Sequence, residues 1–132
     1  MTDKITFDLV SPERLLLSED AEMVTIPGSE GEMGVMAGHM SLITTLKPGT
    51  IDVKLAHDHH HLFLVSGGFA EVNAAKITVL AEDAIAVAAL DEATLAQRII
   101  DAEEDIATAK TEAEMTKATT MLDHLKHLRA AL

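Results

Sequence analysis

The chain has 132 residues and no cysteine, and its 22 acids against 10 bases give a net charge of −12. That length suits one domain, or a small domain with an appendage. The missing cysteine excludes a disulfide staple, a thiolate zinc site and a cysteine nucleophile. The acidic balance excludes ordinary nucleic-acid binding, which needs the opposite sign, and no Lys/Arg cluster restores it locally.

The core has to be aliphatic. Apolar residues make up 48% of the chain, but the aromatics are only Phe7, Phe63 and Phe69. Met1 to Lys4 lead directly into an alternating segment rather than an apolar run, so no signal peptide is expected. No stretch of about 18 apolar residues occurs, so no direct membrane insertion is expected.

From Ile5 the pattern has period two: Ile5, Phe7 and Leu9 point one way, Thr6 and Asp8 the other. Ser11-Pro12 ends that run. Short runs follow at 14–17, 23–26, 42–46, 51–55, 62–65, 69–72 and 77–80. Pro27-Gly28, Pro48-Gly49, Gly67-Gly68 and Asn73 separate them as turn formers. This spacing predicts an all-β antiparallel sandwich or barrel. No helical period lies between the strands, which argues against βαβ units.

After Ala84 the period changes. Leu95, Ile99, Ala102, Ile106 and Ala109 form one helical stripe, with Asp91 as its predicted N-cap. Met115, Ala118, Leu122, Leu125, Leu128 and Leu132 form a second. Thr111 and Glu114 have capping-box spacing, which predicts a helix starting near residue 112. Only a few residues join the two helices, so an antiparallel hairpin is expected. Its Ala-rich facing stripes bury little apolar area, at ~25 cal/mol per Å². The hairpin is therefore expected to rest on the sandwich or on another protein, and to be mobile. The expected domains are a β-sandwich over 1–86 and a helical hairpin over 87–132.

Four stretches invite a chemical reading. Residues 28–42, GSEGEMGVMAGHMSL, hold Gly28, Gly31, Gly34 and Gly38. A Walker phosphate loop would need a Lys and a hydroxyl after its last glycine, but acids follow Gly28 and no Lys occurs until Lys47. Glu30 and Glu32 would repel phosphate, so a tight irregular connection with positive φ is the expectation. Glu30, Glu32 and His39 could form an acid–base pair, but nothing positions a nucleophile or oxyanion donor beside them. A structural or interface histidine is the better reading.

His57, Asp58, His59, His60 and His61 are the strongest metal signal. A metal site wants ligands converging from separate elements. Five consecutive residues between two apolar strands read first as a solvated hairpin turn. A stand-alone metal-binding β-sandwich using this cluster remains the alternative function. Glu103, Glu104 and Asp105 read as a solvated helix face.

"LVSPERLLLS" (9–18), "IPGSEGEMGVMAGHMSLITTLKPG" (26–49), "FLVSGGFAEV" (63–72), "ITVLAEDA" (77–84) and "LDEATLAQR" followed by a helical hairpin resemble the epsilon subunit of bacterial F-type ATP synthases. The motifs stand in the family's order, from about Phe7 to the C-terminus. The resemblance implies a ten-stranded β-sandwich followed by two helices. It implies no enzyme activity and no cofactor, but a central-stalk role between the gamma subunit and the c-ring, coupling proton flow to ATP synthesis. It also places the chain peripherally on the cytoplasmic face of the bacterial inner membrane. In many members the C-terminal helices extend to the alpha and beta subunits and block ATP hydrolysis.

By the same resemblance, Glu32 faces the polar loops of the c-ring. His39 and Thr44 fall where gamma docks, and Ser66 and Glu71 match other interface positions. The chain departs from the family in two places. Ala37, Gly38, His39, Met40 and Ser41 lack the prolines of the family's PGH-x-P, which implies a less rigid loop. Leu90 and Asp91 match the ATP-binding pattern of some members, but Thr94 stands where they carry Arg, and Leu95 where they carry Ala. Arg98 lies one turn on. The hairpin carries Arg98, Lys110, Lys117, Lys126 and Arg129 against nine acids, so strong inhibition is not expected.

Overall fold

The structure, a computed structural model, describes residues 4–131. Residues 1–3 and Leu132 of the second predicted stripe lie outside the described residues.

Alternation builds the strands. In β1 (Ile5–Val10) every second residue is buried: Ile5, Phe7 and Leu9 face inward. Ser11 then turns the chain, its hydroxyl accepting from the backbone of Glu13 and Arg14. β2 (Leu15–Ala21) returns antiparallel to β1. β3 (Met23–Gly28), β4 (Gly31–Val35), β5 (Leu42–Leu46) and β6 (Gly49–Lys54) follow. β7 (His60–Val65), β8 (Gly68–Val72), β9 (Lys76–Ala81) and the short β10 (Ala84–Ala86) complete ten strands.

The hydrogen-bonded order is β10-β7-β6-β3-β5-β8-β9-β1-β2, with β4 paired to β3. β3 divides the sheet into two layers. One edge of β3 pairs with β4, from Val24 opposite Val35 to Gly28 opposite Gly31. The other edge pairs first with β6 and then, at Gly28, with Leu46 of β5. The core between the layers includes Ile5, Phe7, Ile26, Ile51, Val72 and Ile77, all essentially without solvent contact. The strands are antiparallel as expected, except that β1 and β9 run parallel.

Three local expectations need correction. Pro27 and Gly28 do not separate strands: they end β3, and the acidic glycine-rich stretch is the second arm of a β-hairpin. Met33 and Val35 alternate there, but glycines and acids dilute the signal. The histidine-rich stretch is a turn only as far as His59. His57 and Asp58 adopt left-handed φ values of 61° and 60°, while His60 and His61 already pair with Lys54 and Val53 in the β6–β7 ladder. Residues 84–86 form β10, against Phe63, Leu64 and Val65.

One compact unit ends at Val87 and a second begins at Ala88. The second holds α1 (Glu92–Thr108) and α2 (Glu112–Ala131), which pack on each other. Asp91 caps α1, its carboxylate accepting from the Thr94 amide at 2.7 Å. Thr111 caps α2 by accepting from the Glu114 amide at 3.1 Å. The Glu114 carboxylate reaches back to the amide of Lys110 rather than that of Thr111, one residue beyond a standard capping box. Leu95, Ile99, Ala102, Ala118, Leu122 and Leu125 are buried, and Met115 is exposed.

Candidate partner interface

The β3–β4 hairpin and β5 together shape an open cleft of about 390 Å³, lined by residues that include Ser29, Glu30, Glu32, Met33, Ile43 and Thr44. The two-residue turn at Ser29 and Glu30 brings this about. The Thr44 hydroxyl accepts from the Ser29 amide at 3.4 Å, lies 3.3 Å from the Ser29 hydroxyl and donates to the Thr45 carbonyl at 3.0 Å. Thr44 thereby ties the hairpin tip to β5. Glu30 and Glu32 are solvent-exposed, so the cleft presents negative charge beside the apolar Met33 and Ile43. Such a cleft suits a basic or amphipathic side chain from another protein.

His39 sits in the loop between β4 and β5. Its Nδ1 donates to its neighbour's carbonyl, Met40 O, at 2.7 Å. The Gly38 amide bonds to the Ala74 carbonyl at 2.7 Å, which places this loop beside the turn between β8 and β9. Gly38 has φ +87°, a conformation that favours glycine.

Glu71 is exposed on β8, opposite Ile43 of β5 and Thr78 of β9. Thr44 lies opposite the buried Ala70, so Thr44 and Glu71 project from opposite faces of the ladder. Ser66, whose amide bonds to Asp83 O at 3.2 Å, lies at the far end of β8 from the His39 loop. Of the five residues expected at partner interfaces, only Glu32 and Thr44 share this cleft. The other three are spread along β8 and its two ends.

Sequence reasoning missed the apolar part of this surface. Met40 is 82% exposed, Ile43 72% and Phe69 45%. Ile43 and Phe69 fall within the short apolar runs at 42–46 and 69–72. The available signal was parity: with Leu46 and Ala70 facing in, Ile43 and Phe69 must face out.

The histidine cluster does not converge. His60 donates to Asp52 at 2.7 Å and lies 3.4 Å from Asp58, whereas His61 bonds to Glu19 at 2.8 Å. His60 and His61 are neighbours on a strand and so face opposite sides. Among the described residues no three His, Cys, Asp or Glu side chains are placed to hold a metal ion. This arrangement lends the metal-binding alternative no support. Asp52 raises the pKa of His60 above its ordinary value by accepting a hydrogen bond from its ring, with burial opposing.

At the start of α1, Leu90 is buried and the Asp91 carboxylate is engaged as a cap. The Thr94 amide, followed by the Thr94 side chain, holds the Asp91 pKa below its ordinary value.

The chain matches the family of the ATP synthase delta/epsilon chain, β-sandwich domain, over residues 4–87. It is 50% identical to the ATP synthase epsilon chain of Parvibaculum lavamentivorans over 98% of each chain. It is 48% identical to that of Mesorhizobium japonicum, over 100% of this chain and 98% of the relative. A chain in the mitochondrial ATP synthase of Euglena gracilis, solved as an OSCP/F1/c-ring assembly, superposes with a TM-score of 0.75 at 28% identity, covering 97% of this chain and 81% of that one. A chain of the Tetrahymena thermophila central stalk and c-ring shares the fold, with a TM-score of 0.64 at 15% identity over 98% and 97% of the two chains. With ten strands, two capped helices and full-length relatives, this chain belongs to the ATP synthase epsilon-chain family.

Proposed function

We propose that the chain is a non-catalytic central-stalk subunit of a proton-translocating bacterial ATP synthase, joining gamma to the c-ring. One observation carries this reading: a full-length relative at 50% identity is an ATP synthase epsilon chain. The β-sandwich to residue 86 binds the rotor, and the helices from 87 onward are its regulatory part. Glu32 meets the c-ring, His39 and Thr44 face gamma, and Ser66 and Glu71 lie at other partner-interface positions. The subunit sits on the cytoplasmic face of the inner membrane, held there by its partners. Among the described residues no helix is long and apolar enough to cross a membrane.

The test is assembly of the purified chain with gamma and the c-ring. Glu32→Lys is expected to weaken assembly and to change its salt dependence, because a rim charge acts mainly on association rate and screening. Assembly and proton coupling unchanged at every salt concentration would remove Glu32 from the interface.

The hairpin inhibits hydrolysis weakly and does not use ATP as an effector. Thr94 supplies no guanidinium for phosphate. A charge-assisted hydrogen bond is worth roughly 1.5–3 kcal/mol, so its absence lowers affinity by about one to two decades. Titration calorimetry with MgATP is expected to show no saturation at millimolar nucleotide for the parent chain, and a gain for Thr94→Arg with Leu95→Ala. Tight binding by the parent chain would refute this part of the reading.

A further inference from the structure

The β3–β4 hairpin turns on Ser29 and Glu30, between the paired Gly28 and Gly31. Glycines on both sides leave the turn without flanking side chains to anchor it. Glu32 stands two residues past the turn, opposite Pro27. The place of its carboxylate therefore depends on what holds the tip.

The base of the tip is docked on its neighbour through backbone. Gly28 pairs with Leu46 of β5, and the Lys47 amide donates to the Pro27 carbonyl at 2.9 Å. Among the described residues Gly28 is the one position of β3 that pairs with β5. Beyond it the tip and β5 diverge, and the cleft opens between them. Ser29, Glu30, Glu32 and Met33 line it from one side, Ile43 and Thr44 from the other.

Thr44 spans that cleft. Its hydroxyl donates to the Thr45 carbonyl at 3.0 Å, which uses its one proton. Its oxygen then accepts from the Ser29 amide at 3.4 Å and from the Ser29 hydroxyl at 3.3 Å. The donor and both acceptor positions of the hydroxyl are thus occupied, two of the three by the tip. A partner docking on Thr44 finds no hydrogen-bonding capacity left on it. Thr45 offers no substitute: it lies opposite Phe69 and projects from the other face of β5.

We propose that Thr44 is a positioning residue: its hydroxyl fixes the tip of the β3–β4 hairpin and thereby sets where Glu32 stands against the c-ring. This rests on the reading that Glu32 meets that partner. A carboxylate on a wandering arm has to be ordered when the partner binds, and that ordering lowers affinity. The tie from β5 orders the arm beforehand. It also links two surfaces, since the strand expected at gamma holds the hairpin expected at the c-ring.

Two variants of the full-length chain separate the hydroxyl from the rest of the side chain. Thr44→Val keeps the shape and removes the hydroxyl, and Thr44→Ser keeps the hydroxyl. Nitrogen-15 relaxation is expected to show lower order for the Ser29, Glu30 and Gly31 amides in Thr44→Val, and parent-like order in Thr44→Ser. Binding to detergent-solubilised c-ring, with gamma present, is expected to weaken about three- to tenfold in Thr44→Val, the range for one or two net hydrogen bonds. Thr44→Ser is expected to restore it, and affinity for gamma alone is expected to be unchanged in both. A double-mutant cycle reads the route of the effect. If Thr44 acts through Glu32, then Thr44→Val costs nothing further in a Glu32→Gln background. Parent-like order of the tip in Thr44→Val, additive losses in the cycle, or a loss confined to gamma would each overturn the proposal. Glu32→Gln alone tells the two failures apart. If it leaves c-ring binding unchanged, the placement of Glu32 fails and the proposal with it. If it weakens binding while Thr44→Val does not, the positioning role alone is overturned.

Discussion

The two units of this chain are held together by different kinds of contact. The sandwich buries large side chains from partners remote in sequence: Ile5 pairs with Ala21 on one side of β1, and Thr6 with Lys76 on the other. Its core cluster and the residues packed on it all lie between Ile5 and Ala84. The helical unit closes locally, through two caps and a connection from Ala109 to Thr111. Its buried set includes two alanines, Ala102 and Ala118, and Ile100 and Met115 are left exposed. Non-local pairing with large aliphatics gives a unit whose core cluster is complete within its own strands. Local capping with a thin seam gives one whose ends decide its stability.

The strongest way to break the contrast is inside the sandwich. Gly68 has φ +137°, and a Cβ there would collide with the Leu80 carbonyl oxygen of the neighbouring strand. Gly68→Val combines a disfavoured backbone conformation with a backbone clash, so a loss of more than about 3 kcal/mol is expected. Urea unfolding followed by far-UV circular dichroism measures it. A loss below 1 kcal/mol, on the order of an ordinary surface change, would show that β8 can shift away from β9.

A truncation sharpens the contrast. A chain ending at Ala88 keeps every strand and the whole core cluster. It is expected to unfold cooperatively, with sandwich stability within about 1 kcal/mol of the full chain. Aggregation, or loss of the β signal, would make the helices part of the same folding unit.

The smallest effect is pH dependence. Lys76, followed by Ser18, holds the Asp8 pKa below its ordinary value of 3.8. That stabilisation is present above 3.8 and is lost as pH falls through the lower folded value. His60, raised by Asp52 above the ordinary 6.5, stabilises below 6.5 and loses its contribution as pH rises through its higher folded value. Both act fully between about pH 4 and 6.5, so the urea midpoint of the sandwich is expected to be highest in that window. Replacing His60 by Gln is expected to reduce the alkaline decline. An undiminished decline would leave Asp52–His60 without a part in it.

Local signals were readable wherever one face of an element was plainly apolar. β1 shows this with Ile5, Phe7 and Leu9, and α1 with Asp91 ahead of Leu95 and Ile99. β4 was not readable, because Gly31, Glu32 and Gly34 leave only Met33 and Val35 to mark an alternation. β10 was too short, at three residues, to show any period. The candidate interface was legible only through family motifs around Glu32, His39, Thr44, Ser66 and Glu71. Its exposed apolar members, Met40, Ile43 and Phe69, were not, since an apolar residue in a strand reads as core until its register is known.

The sequence by itself determined the kind of elements, where both helices start and the family, because periodicity, capping residues and ordered motifs are properties of short segments. Only the tertiary structure decided that β1 runs parallel to β9, that β3 spans both layers, that Ile43 faces out and that Glu19 meets His61. Those are matters of register between distant strands. Register depends on the joint burial of all inward rows, and a shift of one residue would turn each row to the opposite face.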